Sequence, residues 1–159
     1  MSSEPDLSVI VPFYNEEENI RRMHAAIVAA IEPLGVPFEM VLVNDGSKDR
    51  TLELATDIAR EDPRVRVVNF RRNYGQTPAM AAGIEHAEGK VLVTMDGDMQ
   101  NDPRDIELFL AKINDGYDIV VGWRFNRRTS SSRARSRRAS PTGSSARSRG
   151  CRSRTMAAR

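Results

Sequence analysis

The chain has 159 residues, enough for one domain with a substantial core and too few for two ordinary ones. Its formal charge of +2 averages two unlike segments: residues 1–126 hold all 22 acids against 13 Lys and Arg, a net −9, while 127–159 hold eleven Arg and no acid. A single cysteine, Cys151, excludes an intramolecular disulfide, and with no signal-like N-terminus and no apolar run near the roughly 18 residues of a membrane helix, a soluble cytoplasmic chain is expected.

In chain order, Leu7 to Val11 reads as a buried strand with Pro12-Phe13-Tyr14-Asn15-Glu16 as its exit loop. A helix is predicted from about Glu16 to Ile31, with acids near the favourable end of its dipole and Ile20, Met23, Ile27 and Ile31 on one face, stopped by Pro33 and Gly35. Phe38 to Val43 gives a second strand ending in Asn44-Asp45-Gly46-Ser47. Ser47 or Asp49 is placed to cap the next helix, whose buried side is Leu52, Leu54, Ala55, Ile58 and Ala59.

Val65 to Phe70 is a third strand, followed by the basic loop Arg71-Arg72-Asn73-Tyr74-Gly75 and an Ala-rich helix from about Pro78 to Ala87. Val91 to Thr94 is a short apolar run, expected to be covered on both faces, that breaks into Met95-Asp96-Gly97-Asp98-Met99-Gln100. Asn101, Asp102 and Pro103 open a further helix with Ile106, Phe109, Leu110 and Ile113 inward, and Asp118 to Val121 returns as a strand before Gly122-Trp123-Arg124. Strands alternating with helices across short connections predict an α/β fold, a mostly parallel sheet with helices on both faces. Ligands in such sheets sit beyond the carboxyl ends of the strands, so Pro12 to Glu16, Asp45 to Ser47 and Asp96 to Gln100 should converge on one edge.

Asp96 and Asp98 at a strand end can share a divalent cation, with Gln100 adding a carbonyl oxygen; Mg²⁺ and Mn²⁺ prefer such oxygen ligands and leave positions for water and phosphate. The same tripeptide also suits a plain turn. Its context favours the cation. No Gly-rich phosphate loop is present, and an edge carrying Asp45, Asp96 and Asp98 would repel a diphosphate unless a cation intervened. His24 and His86 lie within helices and are not expected to take part in chemistry, and Met80, Met95 and Met99 read as packing residues.

Three ordered stretches, Ser8 to Glu16, Val41 to Thr51 and Val93 to Gln100, resemble the successive signatures of family 2 glycosyltransferases with the GT-A fold. The likeness is closer to the branch of dolichol-phosphate mannosyltransferases and bacterial polyprenyl-phosphate glycosyltransferases, where Asn73-Tyr74-Gly75, Asp96 to Pro103 and Gly122-Trp123-Arg124 also have counterparts. It covers about residues 7 to 126. The resemblance implies a Rossmann-like GT-A sheet, incomplete at its C-terminal side, and a nucleoside diphosphate sugar, UDP- or GDP-linked, as donor. It implies nucleotide contacts from Pro12, Tyr14, Glu16 and Asp45, with Asp96 shared between cation and nucleotide sugar. The cation, Mg²⁺ or Mn²⁺, would rest on Asp96, Asp98 and Gln100, and Arg124 would join Asp96 and Asp98 in the catalytic set by holding phosphate charge. The implied acceptor is a polyprenyl or dolichyl phosphate at a membrane surface, reached by metal-assisted inverting displacement.

After Asn126 the apolar periodicity stops. Residues 127–159 contain eleven Arg and nine Ser, with no Ile, Leu, Val, Phe, Tyr or Trp, and are expected to be a disordered tail. We read this tail as the family's C-terminal half translated in a shifted frame: a TCN serine codon read one base earlier always encodes Phe, Leu, Ile or Val, which would restore apolar residues at Ser140, Ser144, Ser145 and Ser148. A shortened chain of this kind is expected to be impaired in turnover. The alternatives are a non-catalytic nucleotide-sugar or metal-binding module, and a basic-tailed nucleic-acid binder for which no aromatic-interleaved binding motif is visible.

Overall fold

A computed structural model of the chain describes residues 5–123 and 154–158. Two β-branched-rich runs make the central strands. Leu7–Phe13 (β1) and Phe38–Asn44 (β2) are almost wholly buried and pair in parallel, Leu7 opposite Phe38 and Phe13 opposite Asn44. Val65–Asn69 (β3) flanks β2 and Val91–Thr94 (β4) flanks β1, all parallel, giving the order β3-β2-β1-β4.

The helices follow from the handedness of parallel crossovers. β1 to β2 and β2 to β3 step in one direction, so the helices between them, Ile20–Ile31 (α1) and Thr51–Glu61 (α2), share one face of the sheet; the step from β3 back across to β4 puts Gln76–His86 (α3) on the other. Alternation along the strands agrees. Ile10, Val41 and Val43 meet Ala79 of α3 in one buried cluster, whereas Val9, Val11, Met40 and Leu42, at 0–1% exposure, point to the opposite face. Small residues let α3 lie close: a Cβ on Gly83 would fall 2.3 Å from Ile10 Cγ2.

α1 buries the four expected residues Ile20, Met23, Ile27 and Ile31. It starts at Ile20 rather than Glu16, because residues 16–19 form a turn in which the Glu16 carbonyl accepts the N–H groups of Asn19 and Ile20. A 3₁₀ turn over Glu32–Leu34 and Gly35 at φ +64° close it. In α2, Thr51, Ala55 and Ile58 are buried, and Leu52, Leu54 and Ala59 are half-buried.

β4 departs from expectation. It is an edge strand of this sheet, and only Val93 of its four residues is buried, with Leu92 42% exposed. One face of the run is therefore open, not covered.

The chain divides into two compact units, residues 1–107 and 108–159. Asp105–Asn114 (α4) runs across the division, with Ile106 buried and Phe109, Leu110 and Ile113 half-buried. In the second unit Ile119–Trp123 (β5) pairs antiparallel with Arg154–Ala158 (β6), from Ile119 opposite Ala158 to Trp123 opposite Arg154. The fifth strand, expected in the parallel sheet, thus belongs to a separate two-stranded ladder. Of the basic tail only 154–158 is described; the expectation of disorder for the rest lies outside the described residues. No helix among the described residues is long and apolar enough to cross a membrane.

Candidate active site

The sheet order reverses between β1 and β4. Chain direction moves from β1 outward to β2 and β3, then returns to the other side of β1, so a crevice opens beyond the carboxyl ends of β1 and β4. Polar side chains stitch the loops at this end together. Asn15, at φ +55°, donates its N–H to Ser47 Oγ at 2.9 Å and accepts the Lys48 N–H at 2.9 Å; the Glu16 N–H reaches Thr51 Oγ1 and the Glu17 N–H reaches Asp49 Oδ2. Ser47 thus serves the neighbouring loop, while Asp49 Oδ1 takes the Thr51 N–H at 3.0 Å at the start of α2. Burial raises the Asp49 carboxyl pKa, but hydrogen bonds from Thr51 and Glu17 outweigh it and hold the group below its ordinary range.

Asp45, at the end of β2, is 3% exposed and forms a clamp. Its Oδ1 accepts the Tyr74 N–H at 2.7 Å and its Oδ2 the Gly75 N–H at 2.9 Å, so one carboxylate fixes the loop that leads into α3. Gly46 permits this approach. It sits at φ +65°, and a Cβ there would lie 2.3 Å from the Arg72 carbonyl carbon. Exposed Tyr74 stands edge-to-face on half-buried Phe70 at 5.5 Å, with the Arg72 guanidinium 4.8 Å from the Tyr74 ring centre.

Asp96 and Asp98 flank a glycine pressed against β1: a Cβ on Gly97 would meet the Phe13 ring at 2.6 Å and the Pro12 carbonyl oxygen at 2.9 Å. Asp98 Oδ1 accepts the Gln100 N–H at 3.0 Å, and Asp96 Oδ1 accepts a short hydrogen bond from Gln76 Nε2. The result is an open cleft of ≈340 Å³ whose walls include Pro12, Tyr14, Glu16, Asp45, Asp96 and Asp98. Six of the residues singled out in the sequence therefore share one space. Gln100 does not line it; its neighbourhood is a second cavity of ≈430 Å³ between Ala26, Ala29 and Ala30 of α1 and residues 99–104. Arg124 lies outside the described residues.

The donor set suits a small hard cation that keeps substrate and water ligands. Four carboxylates line the cleft, Glu16, Asp45 and the Asp96 and Asp98 pair, but no group of three or more His, Cys, Asp or Glu among the described residues could hold a metal ion as a closed cage. Mg²⁺ is ordinarily held in this manner, by one or two carboxylates plus phosphate oxygens.

Neither histidine lines the cleft. His24 Nε2 lies 3.1 Å from Asp62 Oδ2 in a network where Arg64 also grips Asp62 and Glu32, and His86 Nδ1 lies 2.8 Å from the Ala82 carbonyl. Hydrogen bonds from Arg64, foremost, hold the Asp62 carboxyl down to about 2. Gln76 and Asn73, which also line the cleft, were not expected as site residues. Asn73-Tyr74-Gly75 marked the loop, but nothing local in the sequence signals that the first residue of α3 reaches Asp96.

Fold and cleft together define a doubly wound α/β domain of GT-A type, with its ligand crevice at the switch point. The chain belongs to glycosyl transferase family 2, whose model matches residues 8–157. Among curated relatives, it is 42% identical over 125 residues to a dodecaprenyl-phosphate galacturonate synthase of Rhizobium johnstonii, covering 77% of this chain and 37% of that protein. Among solved structures, it superposes on S. aureus TarS 1-349 in complex with UDP-GlcNAc with a TM-score of 0.60 and 27% identity, over 72% of this chain and 33% of the other. The mannosyltransferase PcManGT from Pyrobaculum calidifontis, in complex with GDP-Man and Mn²⁺, gives a TM-score of 0.56 at 28% identity, over 65% and 30%. The chain spans about two fifths of the length of the curated relatives it matches.

Proposed function

We propose that the cleft holds a nucleoside diphosphate sugar together with Mg²⁺ or Mn²⁺, and that the reaction it serves is inverting transfer of the sugar to a polyprenyl or dolichyl phosphate. One observation carries this reading: Pro12, Tyr14, Glu16 and Asp45 share a single cleft with the Asp96 and Asp98 pair at the switch point. In it, Asp96 and Asp98 hold the cation, which when bound stabilises negative charge on the leaving diphosphate. Tyr14, 42% exposed on the cleft wall, gives the nucleoside a flat surface, and Pro12, Glu16 and Asp45 shape its pocket. Arg124 adds positive charge for the phosphates.

Among the described residues no histidine lines the cleft, and a lipid phosphate acceptor does not demand one. A phosphate monoester has its second pKa at about 6 and is already an anionic nucleophile near neutrality. Further support comes from the relatives: one is named for a dodecaprenyl-phosphate product and one was solved with GDP-Man and Mn²⁺. In a polypeptide of these residues alone, donor binding is expected to outlast turnover, because the acceptor side is drawn by resemblance from the family's C-terminal half.

Calorimetry with UDP- and GDP-linked sugars, with Mn²⁺ and with chelator, tests the donor reading; a transfer assay with undecaprenyl phosphate then separates an enzyme from a binding module. Donor binding that ignores the cation would contradict the proposal. Full-rate transfer by this polypeptide would contradict the expected loss of turnover alone.

A further inference from the structure

We propose that Lys48, Arg71, Arg72 and Tyr74 form a docking face for an anionic lipid surface, which brings the donor cleft up to a membrane-borne acceptor. This rests on the lipid phosphate acceptor proposed above. The starting point is where positive charge is left without a partner. Twelve Lys and Arg lie among the described residues, and eight of them pair with an acid. The other four, Arg22, Lys48, Arg71 and Arg72, are exposed and form no ion pair among the described residues. Three of these four fall on two loops that touch at the carboxyl end of the sheet: Gly46 presses against the Arg72 backbone, and Lys48 follows two residues on. Asp49 and Glu17, on the neighbouring loops, bond the Thr51 and Arg50 N–H groups rather than these cations.

Asn73 and Gly75 line the donor cleft, whereas Lys48, Arg71, Arg72 and Tyr74 do not, so their chemistry is offered beside it. Tyr74 is 53% exposed, braced edge-to-face on Phe70 and covered by the Arg72 guanidinium. An aromatic ring with a polar tip, flanked by cations with apolar stems, suits the headgroup level of a bilayer. Each Lys or Arg close to an anionic surface strengthens the attraction about fivefold, so three favour this face on the order of 100-fold. A single-stranded nucleic acid would stack its bases on successive rings, and this face has one fully presented ring, Tyr74.

The eleven Arg of residues 127–159 would draw the chain to anionic vesicles whichever face it presents, so the test reads which face is covered. Hydrogen exchange by mass spectrometry is followed in the 159-residue chain over residues 70–75 and over 86–90, at the opposite end of the sheet. Phosphatidylcholine vesicles with about one third phosphatidylglycerol should slow exchange at 71–73 about tenfold and leave 86–90 unchanged; pure phosphatidylcholine should slow neither. The combined variant Lys48→Gln, Arg71→Gln and Arg72→Gln should lose that protection, and Arg22→Gln should keep it. Calorimetry with Mn²⁺ and UDP or GDP should give the triple variant the wild-type affinity. Equal slowing at both ends of the sheet, or protection that persists in the triple variant, would overturn the inference and leave the donor site standing. So would lost nucleotide affinity in a triple variant whose circular-dichroism melt is unchanged, which would assign these cations to the donor, or stronger protection of 71–73 by single-stranded RNA than by the vesicles. No cation-dependent nucleotide binding in the wild type would overturn the proposed function beneath it.

Discussion

The two ends of the central strands each carry a buried carboxylate, and they use it differently. At the amino end, Glu39 is 6% exposed; its Oε1 accepts from the Ser8 hydroxyl and the Glu88 N–H, both at 2.6 Å, and its Oε2 lies 3.4 Å from Arg66. Ser8 Oγ in turn takes the Gly89 N–H, and a Cβ on Gly89 would lie 2.6 Å from it, so this end is closed around its own polar groups. At the carboxyl end, Asp45 is as deeply buried, but the backbone it pins forms one wall of an open cleft. Burial of an acid marks a site only where its partners leave space beside it. A closed network completes the fold, and an open one can accept a ligand.

Four changes should sharpen or break that contrast, beginning with the largest effect. Asp98→Ala should weaken Mn²⁺-dependent binding of the donor on the order of 100-fold, nearly 3 kcal/mol, with urea-unfolding stability unchanged. Glu39→Ala should do the reverse: about 2 kcal/mol of stability lost in urea titration, because the buried Ser8 hydroxyl and the part-buried Glu88 N–H lose their acceptor, and donor affinity unaltered. If Glu39→Ala impaired binding as Asp98→Ala does, the separation between the two ends would fail.

Gly83→Ala should destabilise by about 1–2 kcal/mol through overpacking against Ile10 and Val43, read from the thermal midpoint by circular dichroism. The smallest effect concerns acid. Asp62 titrates near 2 in the folded chain and near 3.8 when unfolded, so the folded state binds fewer protons between these values. Its contribution is present above about pH 4 and lost as pH falls through 2, on the order of 1 kcal/mol after solvent screening. Asp62→Asn should remove that part of the difference between urea midpoints measured at pH 5 and at pH 2.5.

What the sequence made legible follows from how far each feature's cause extends. The buried face of α1 was readable because Ile20, Met23, Ile27 and Ile31 repeat at helical spacing, a local cause. The convergence of Pro12, Tyr14, Glu16, Asp45, Asp96 and Asp98 was readable because polar residues ending parallel strands must share one edge. The edge position of β4 was not. Val91-Leu92-Val93 has the apolar look of a central strand, and only the order of strands in space leaves Leu92 exposed. β5 was misplaced for a similar reason, since its partner β6 begins more than thirty residues later. Gln76 carries no such signal, because its contact with Asp96 joins two elements twenty residues apart.

The most direct measurement of the central claim is amide NMR of the ¹⁵N-labelled chain during addition of Mn²⁺ with UDP or GDP. Paramagnetic broadening should erase the Gly97 and Gly75 signals first and leave Gly89, at the closed end of the sheet, sharp. Broadening that begins at Gly89, or spreads evenly over the domain, would contradict a cation and nucleotide site at the carboxyl ends of β1 and β4.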